Sequence, residues 1–486
     1  MNRRSSRIRS RLADRIWVGA GAGAGLVIRL RPAARPRQVP NARVHAQRFL
    51  IAFGLLIATG SLLLALPVAS VDGAATPPVD ALFTAVSATC VTGLVTVDTA
   101  DHWNGFGEGV ILVLMQGGGL SFTVGASIVL QMLRRGASLR DALLLRDGEP
   151  ALSVREAVEL SRHILRFTLT VEAIGAAALM FNFWLRHDMP FGWALWRGVF
   201  LAVSAFSNAS FDLSGGFRSL QSYQTDVWVN LVVALLIQSG ALSYLVLHDI
   251  AERRRWSRLT LDAKLVLLIH GLLVLGGAIF FLAVEWGHSL ASTPTWAKPM
   301  AALFESVAAR SGGFSTVDFS QVSPATLFVF VGIMLVGGAP GGTAGGVRLT
   351  TIGVVAVAVL TSLRGQEESQ VFGWRIPIAI VFRALTVIVL FMLVHFAATL
   401  TLTLTENALG GKDIPFIALM FEAMSALATD GLSTGITPSL TVAGKLVLCA
   451  AMFIGRVGPL TAVYALQQRQ QGRTPYRFPE APVRIG

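Results

Sequence analysis

Charge is scarce in this chain: 14% of its 486 residues are Asp, Glu, Lys or Arg, against about 25% in soluble domains. With 53% apolar residues and a mean hydropathy of +0.63, an ordinary soluble globule is excluded. Cysteine is nearly missing. Cys90 and Cys449 lie in apolar or small-residue segments and form no ligand spacing, which argues for free thiols over a disulfide or metal site. There is no HExxH and no paired-carboxylate site. Gly341 to Gly346 runs into Val347–Arg348 without the Gly-Lys-Ser/Thr ending of a phosphate-binding loop, and the Gly19–Gly25 tract lacks both the gap of a dinucleotide fingerprint and a preceding strand. GLSTG at Gly431–Gly435 matches G-x-S-x-G, but it has no strand-to-helix setting and no His and Asp partners in order. The sequence therefore predicts no enzyme, no catalytic residues, no covalently bound cofactor and no transition-metal site.

What the chain does have is long apolar runs, of which Ala46–Ser70 and Gly109–Leu133 are two. Roughly twenty apolar residues suffice to cross a bilayer as a helix, so a multi-pass membrane protein is expected. The net charge of +12 is not a nucleic-acid signature. Basic residues crowd into the N-terminal tail (Arg3, Arg4, Arg7, Arg9, Arg11, Arg15), Arg134–Arg135, Arg253–Arg255 with Arg258, and Arg473–Arg484. They flank hydrophobic spans, as the positive-inside bias requires of cytoplasmic loops. The first 45 residues make no signal peptide, since the Ala/Gly tract has no strong apolar core and Pro32, Pro36 and Pro40 follow it. They read as a flexible basic tail. Both termini are expected in the cytoplasm and the body in the plasma membrane, in contact with lipid.

Internal repetition organises the rest. FTAVSA at Phe83–Ala88, FLAVSA at Phe200–Ala205 and FEAMSA at Phe421–Ala426 are three copies, and FESVAA at Phe304–Ala309 is a weaker fourth. A small residue and then a large apolar one follow each: Gly93–Leu94, Ser210–Phe211, Gly313–Phe314 and Gly431–Leu432. Each copy lies between two long apolar spans and is too brief to cross a bilayer, so re-entrant half-helices are expected. The predicted class is an all-α polytopic membrane protein with four tandem M–P–M repeats (helix, pore half-helix, helix) around one central pore. The repeats are placed at 46–135, 155–250, 260–363 and 375–468, between cytoplasmic tails at 1–45 and 469–486. Small-residue contacts between packed helices explain one such segment, but not four in register.

Backbone that is not helical at membrane depth survives only where protein buries it or a wet cavity solvates it. Four re-entrant loops around one axis would aim carbonyl oxygens at a common path, the arrangement that replaces the water shell of a potassium ion. An alternating-access carrier also uses repeats and broken helices, but usually inverted ones; these four run in one orientation.

The loops SATCVTGLVTVDT, SAFSNASFDL, RSGGFSTVD and ATDGLSTGITP resemble the four pore loops of the KtrB/TrkH/HKT superfamily of potassium uptake proteins. LTVEAIGA, GGAPGGTAGGVRLTT, MFIGRVGPLT and the C-terminal PYRFPEAPVRIG extend the resemblance from about residue 46 to the end, nearest to KtrB. It implies potassium uptake, a homodimer, and control by a cytosolic nucleotide-binding ring of KtrA/TrkA type. By position, the resemblance makes the backbone carbonyls of Thr92, Gly93, Ala209, Ser210, Gly312, Gly313, Asp430 and Gly431 the filter ligands, with K+ as the transported ion and Na+ as the alternative. Ser210 stands where glycine is usual. In plant members a serine at an equivalent position, in another loop, goes with sodium permeation, so an HKT-like sodium-permeable transporter is the runner-up. Ser121 and Ser243 also replace expected glycines. Asp430 replaces a more usual apolar residue, and its side chain either reaches a hydrogen-bond partner behind the filter or adds negative potential at the pore.

In the third repeat, GGAPGGTAGG interrupts an apolar span, and a proline with a glycine cluster there breaks the helix. No other repeat is expected to break like this. The loop Gly337–Gly346, including Gly338, Pro340, Gly341, Gly342 and Gly345, is by resemblance the gate below the filter; a close-packing GxxxG face at Gly338 and Gly342 is the alternative. Arg456 lies mid-span, where an arginine costs roughly 2.5–3.5 kcal/mol. The resemblance makes it the pore arginine, which either repels cations or holds the gate loop; snorkelling is the bland reading. Glu172 is expected to cap or pin a pore loop.

Overall fold

The computed structural model describes residues 18–19, 27–28, 42–136, 154–366 and 368–469. The rest of the N-terminal tail, the 137–153 connector and the C-terminal tail lie outside the described residues. The chain divides into Met1–Gln47 and Arg48–Gly486. In the first unit, β1 (Val18–Gly19) pairs antiparallel with β2 (Val27–Ile28). A two-residue strand thus leads into the Gly19–Gly25 tract, where none is expected from the sequence.

The remaining elements repeat one plan: long helix, short helix, loop, long helix. The first copy is α1 (Ala42–Ala65), α2 (Pro78–Cys90) and α3 (Gly105–Gly136). The second is α4 (Val154–Arg186), α5 (Phe191–Ser207), α6 (Val227–Ala241) and α7 (Tyr244–Arg253). The third is α8 (Leu261–Glu285), α9 (Lys298–Ala308), α10 (Pro324–Leu335) and α11 (Leu349–Leu363). A hairpin, β3 (Gln370–Val371) with β4 (Trp374–Arg375), leads to the fourth: α12 (Ile378–Thr403), α13 (Phe416–Ala428) and α14 (Val442–Arg469). Among the described residues, Val158–Arg186, Leu261–Glu285 and Ile378–Ala408 are long and apolar enough to cross a membrane.

Local chemistry sets the short helices. Proline stands just before or inside the first turn of each (Pro77, Pro190, Pro299, Pro415), where its missing N–H costs nothing. Three of them end on a left-handed residue: Val91, Asn208 and Thr429, with φ of 51°, 56° and 50°. The third copy ends otherwise. Gly313 follows its phenylalanine by nine residues, where the matching residues follow theirs by ten, and the left-handed position moves to Ser311, at φ 68°.

Glycines let the outgoing helices press on the short ones. A Cβ on Gly118 would lie 1.9 Å from the Thr89 carbonyl oxygen, one on Gly240 1.9 Å from that of Phe206, and one on Gly455 1.8 Å from that of Leu427. Thr89, Phe206 and Leu427 are all the sixth residue after their repeat's phenylalanine.

One expectation needs correction: the third repeat is not alone in being broken. The second repeat's outgoing span bends by 96° between α6 and α7, with Ser243 at φ 66°. The bend frees the carbonyls of Gly240 and Ala241, and the backbone of the 337–346 loop takes them up: Thr343 N donates to Gly240 O at 3.1 Å and Ala339 N to Ala241 O at 2.8 Å. The two breaks satisfy each other.

Candidate functional site

The turns that follow the four short helices meet at one place. A Cβ on Gly93 would lie 2.6 Å from Ala209 O and 2.2 Å from Ser210 Cβ; one on Gly313, 2.0 Å from Asp430 O; one on Gly431, 2.2 Å from Thr92 O. The turns carry φ of +91° at Gly93, +62° at Ser210, +59° at Gly313 and +104° at Gly431, a region that favours glycine. In two copies the repeat's serine braces its own turn: Ser87 Oγ accepts from Gly93 N at 3.0 Å, and Ser425 Oγ from Gly431 N at 3.1 Å. Ser204 Oγ accepts one residue further on, from Phe211 N at 2.8 Å. The third copy has Ala308 there, and its carbonyl takes both Gly312 N (2.7 Å) and Gly313 N (2.9 Å). All eight expected ligand positions are thereby brought together. A cavity of about 410 Å³ opens onto them, lined by Gly93, Ser210, Gly313 and Gly431 and by the acidic residues Asp98, Asp212 and Asp318.

Ser210 is the exception in this ring. Its Oγ lies 2.7 Å from Gly312 O and 2.8 Å from Asp430 O, so a side chain fills space that a glycine would leave to the carbonyls. The Asp430 carboxylate turns away from the centre. Its Oδ1 accepts from Ser311 N at 2.5 Å and its Oδ2 from Leu432 N at 3.4 Å, which is the partner-seeking alternative.

The 337–346 loop joins α10 to α11 and packs against the ends of α5, α6 and α13. Asn208 Nδ2 donates to Thr343 Oγ1 at 2.5 Å, and Thr343 Oγ1 lies 3.1 Å from Phe206 O. A Cβ on Gly345 would be 2.2 Å from Ala428 O. Gly338 and Gly342 are not helical; both face Ala241 O, each with a Cβ position 2.6 Å away, so no GxxxG helix face forms. Pro340, Gly341 (φ +81°) and Gly346 (φ +66°) complete the turns. Three arginines grip the loop's carbonyls: Arg456 at Thr343, Arg348 at Ala344 (2.5 Å) and Arg310 at Gly337 (3.0 Å). Arg456 is 1% exposed, so it does not snorkel.

Among the described residues, Glu172 is bonded to no pore loop. Its Oε2 accepts from Gln116 Nε2 at 3.0 Å and ties α4 to α3. Glu305 and Glu422, which are not among the residues expected from the sequence, are carboxylates that do pin these loops. Glu305 Oε1 accepts from Thr316 N (2.7 Å) and Thr316 Oγ1 (2.8 Å). Glu422 accepts from Ser433 Oγ (2.6 Å), Thr434 N (2.9 Å) and Thr437 Oγ1 (2.8 Å). The signal was present: both glutamates directly follow the repeat's phenylalanine.

The family model described as TrkH, cation transport protein, matches residues 9–472. The potassium/sodium uptake protein NtpJ of Enterococcus hirae is 37% identical, over 89% of this chain and 95% of its own. The Ktr system potassium uptake protein B of Bacillus subtilis is 35% identical, over 90% of this chain and 95% of its own. The crystal structure of the potassium transporter TrkH from Vibrio parahaemolyticus superimposes with a TM-score of 0.69 at 18% identity, covering 90% of this chain and 88% of that one.

Proposed function

Because the chain belongs to the TrkH family of cation transport proteins, we propose that it takes up potassium across the plasma membrane as the translocating subunit of a Trk/Ktr-type system. It is an integral membrane transport protein and not an enzyme. The observation that carries the potassium reading is the meeting of four turns that bear carbonyls at Thr92, Ala209, Gly312 and Asp430, since such rings substitute for an ion's hydration shell. In this reading those carbonyls, with those of Gly93, Ser210, Gly313 and Gly431, are the filter, and the four repeats at 46–135, 155–250, 260–363 and 375–468 surround it.

The 337–346 loop is the gate and Arg456 its holder, supported by the bond from Arg456 to Thr343 O. A homodimer with cytoplasmic termini, controlled by a cytosolic nucleotide-binding ring, follows from the family resemblance; relatives named as parts of a Ktr system support a multi-subunit assembly. A sodium-permeable, HKT-like transporter is the less favoured reading. Ser210 supports it, but three of the four turns keep glycine, and several relatives are named for potassium uptake.

Expression in a host deficient in potassium uptake tests the assignment, with rubidium and sodium flux compared. Growth rescue at low potassium with rubidium flux above sodium flux is expected. A membrane-inserted protein that gives no rescue, or that carries sodium as well as rubidium, overturns it.

A further inference from the structure

We propose that Arg310, oriented by His270, latches the gate loop to the third filter loop; the inference rests on the reading of 337–346 as the gate. Arg310 is the sixth residue after Phe304. The same position in the other copies holds Thr89, Phe206 and Leu427, whose carbonyls abut a glycine of an outgoing helix. In the third copy the position holds a guanidinium, 2% exposed, and the outgoing helix α10 stops beside it.

The contacts brace the stop that Pro340 imposes. Arg310 Nη2 donates to Gly337 O at 3.0 Å, and Nη1 bonds His270 Nδ1 on α8. Arginine only donates, so Nδ1 is the acceptor and the imidazole is neutral with its proton on Nε2. In an unbroken helix the Gly337 carbonyl would accept from the amide four residues on. Here it is turned to a cation instead, and a charge-assisted bond of this kind is stronger than a neutral one. The next residue takes the other end of the loop: Ser311 Oγ accepts from Gly345 N at 3.0 Å. Gly312 and Gly313 follow at once. The dipeptide Arg310–Ser311 thus holds both ends of the gate loop and runs directly into the carbonyl ring, while Arg456 holds the middle at Thr343. The latch ties the closed loop to the backbone that leads into the third filter turn and leaves the turn itself to its own bonds at Ala308 O.

The test measures basal rubidium and sodium flux into proteoliposomes for full-length Arg310→Met, His270→Leu and His270→Gln proteins, beside a deletion of 341–345. Losing one buried charged hydrogen bond shifts the closed–open balance by about tenfold or more. Arg310→Met and His270→Leu should therefore raise rubidium flux about tenfold with an unchanged rubidium-to-sodium ratio. His270→Gln, whose amide oxygen still accepts, should stay at the wild-type flux. If the deletion opens the pore while folded Arg310→Met and His270→Leu remain at wild-type flux, the latch is wrong. A shifted ion ratio also overturns it, because Arg310 would then act by shaping the filter. Where Arg310→Met does not fold, His270→Leu decides alone. A deletion that leaves flux unchanged removes the gate reading and the latch together.

Discussion

The hydroxyl oxygen of Ser210 lies 2.7 Å from the carbonyl oxygen of Gly312, a contact between two loops 102 residues apart. It also lies 2.8 Å from the Asp430 carbonyl oxygen, yet a hydroxyl carries one proton. At any instant one of the two carbonyls faces an oxygen with no hydrogen between them. In the reading of these turns as a filter, that carbonyl is the one open to a cation.

Ser210→Gly should therefore raise both rubidium flux and the preference for rubidium over sodium. The substitution removes Cβ and Oγ from the ring and relieves a left-handed residue at φ +62°, a strain of roughly 1–2 kcal/mol for a residue with a Cβ. Side-by-side flux of both ions checks this. An unchanged ion ratio would mean that the hydroxyl stays out of the ion's path.

Arg456→Ala and deletion of part of Gly337–Gly346 should each raise cation flux. Arg456 donates to Thr343 O in the middle of the loop, and losing such a charged bond is worth about 2 kcal/mol, more than tenfold in a closed–open ratio. Unchanged flux in both variants would sink the gate assignment.

Glu422→Gln should destabilise the protein by about 2 kcal/mol. The carboxylate accepts from Ser433, Thr434 and Thr437 with both oxygens, and glutamine replaces one oxygen with a donor. Thermal unfolding in detergent, read beside rubidium flux, should show both falling. Leu201 holds the matching place in the second repeat, so Leu201→Met serves as a mild control.

Gly455→Ala and Gly118→Ala should lower flux and thermal stability, because the added methyl would enter the space of a backbone carbonyl, 1.8 Å and 1.9 Å away. Gly54→Ala has nothing within 4 Å of its new methyl and should stabilise its helix by up to about 1 kcal/mol. If all three variants melted alike, close approach of the helices would not be the cause.

Much of this was legible because the repeat is local. A short apolar segment ending in a small residue at fixed spacing from a phenylalanine can be read in one dimension, and positive φ at Gly93, Gly313 and Gly431 follows from glycine's freedom. The Pro340 break was legible for the same reason. What escaped were contacts between separate elements: Glu172 with the Gln116 side chain and Arg310 with the Gly337 carbonyl. No periodicity marks them. The bend after Ala241 escaped because SGALS holds no proline; what sustains it is a bonding partner roughly a hundred residues further on.

That bend has a consequence for how the protein can change over generations. Straightening the second repeat, for instance through a helix-forming residue at Ser243, would draw the carbonyls of Gly240 and Ala241 back into their own helix. The amides of Thr343 and Ala339 would then be left buried without their acceptors. A lineage that mends one interruption must mend the other in step, so residues 240–243 and 337–346 should be inherited as a matched set.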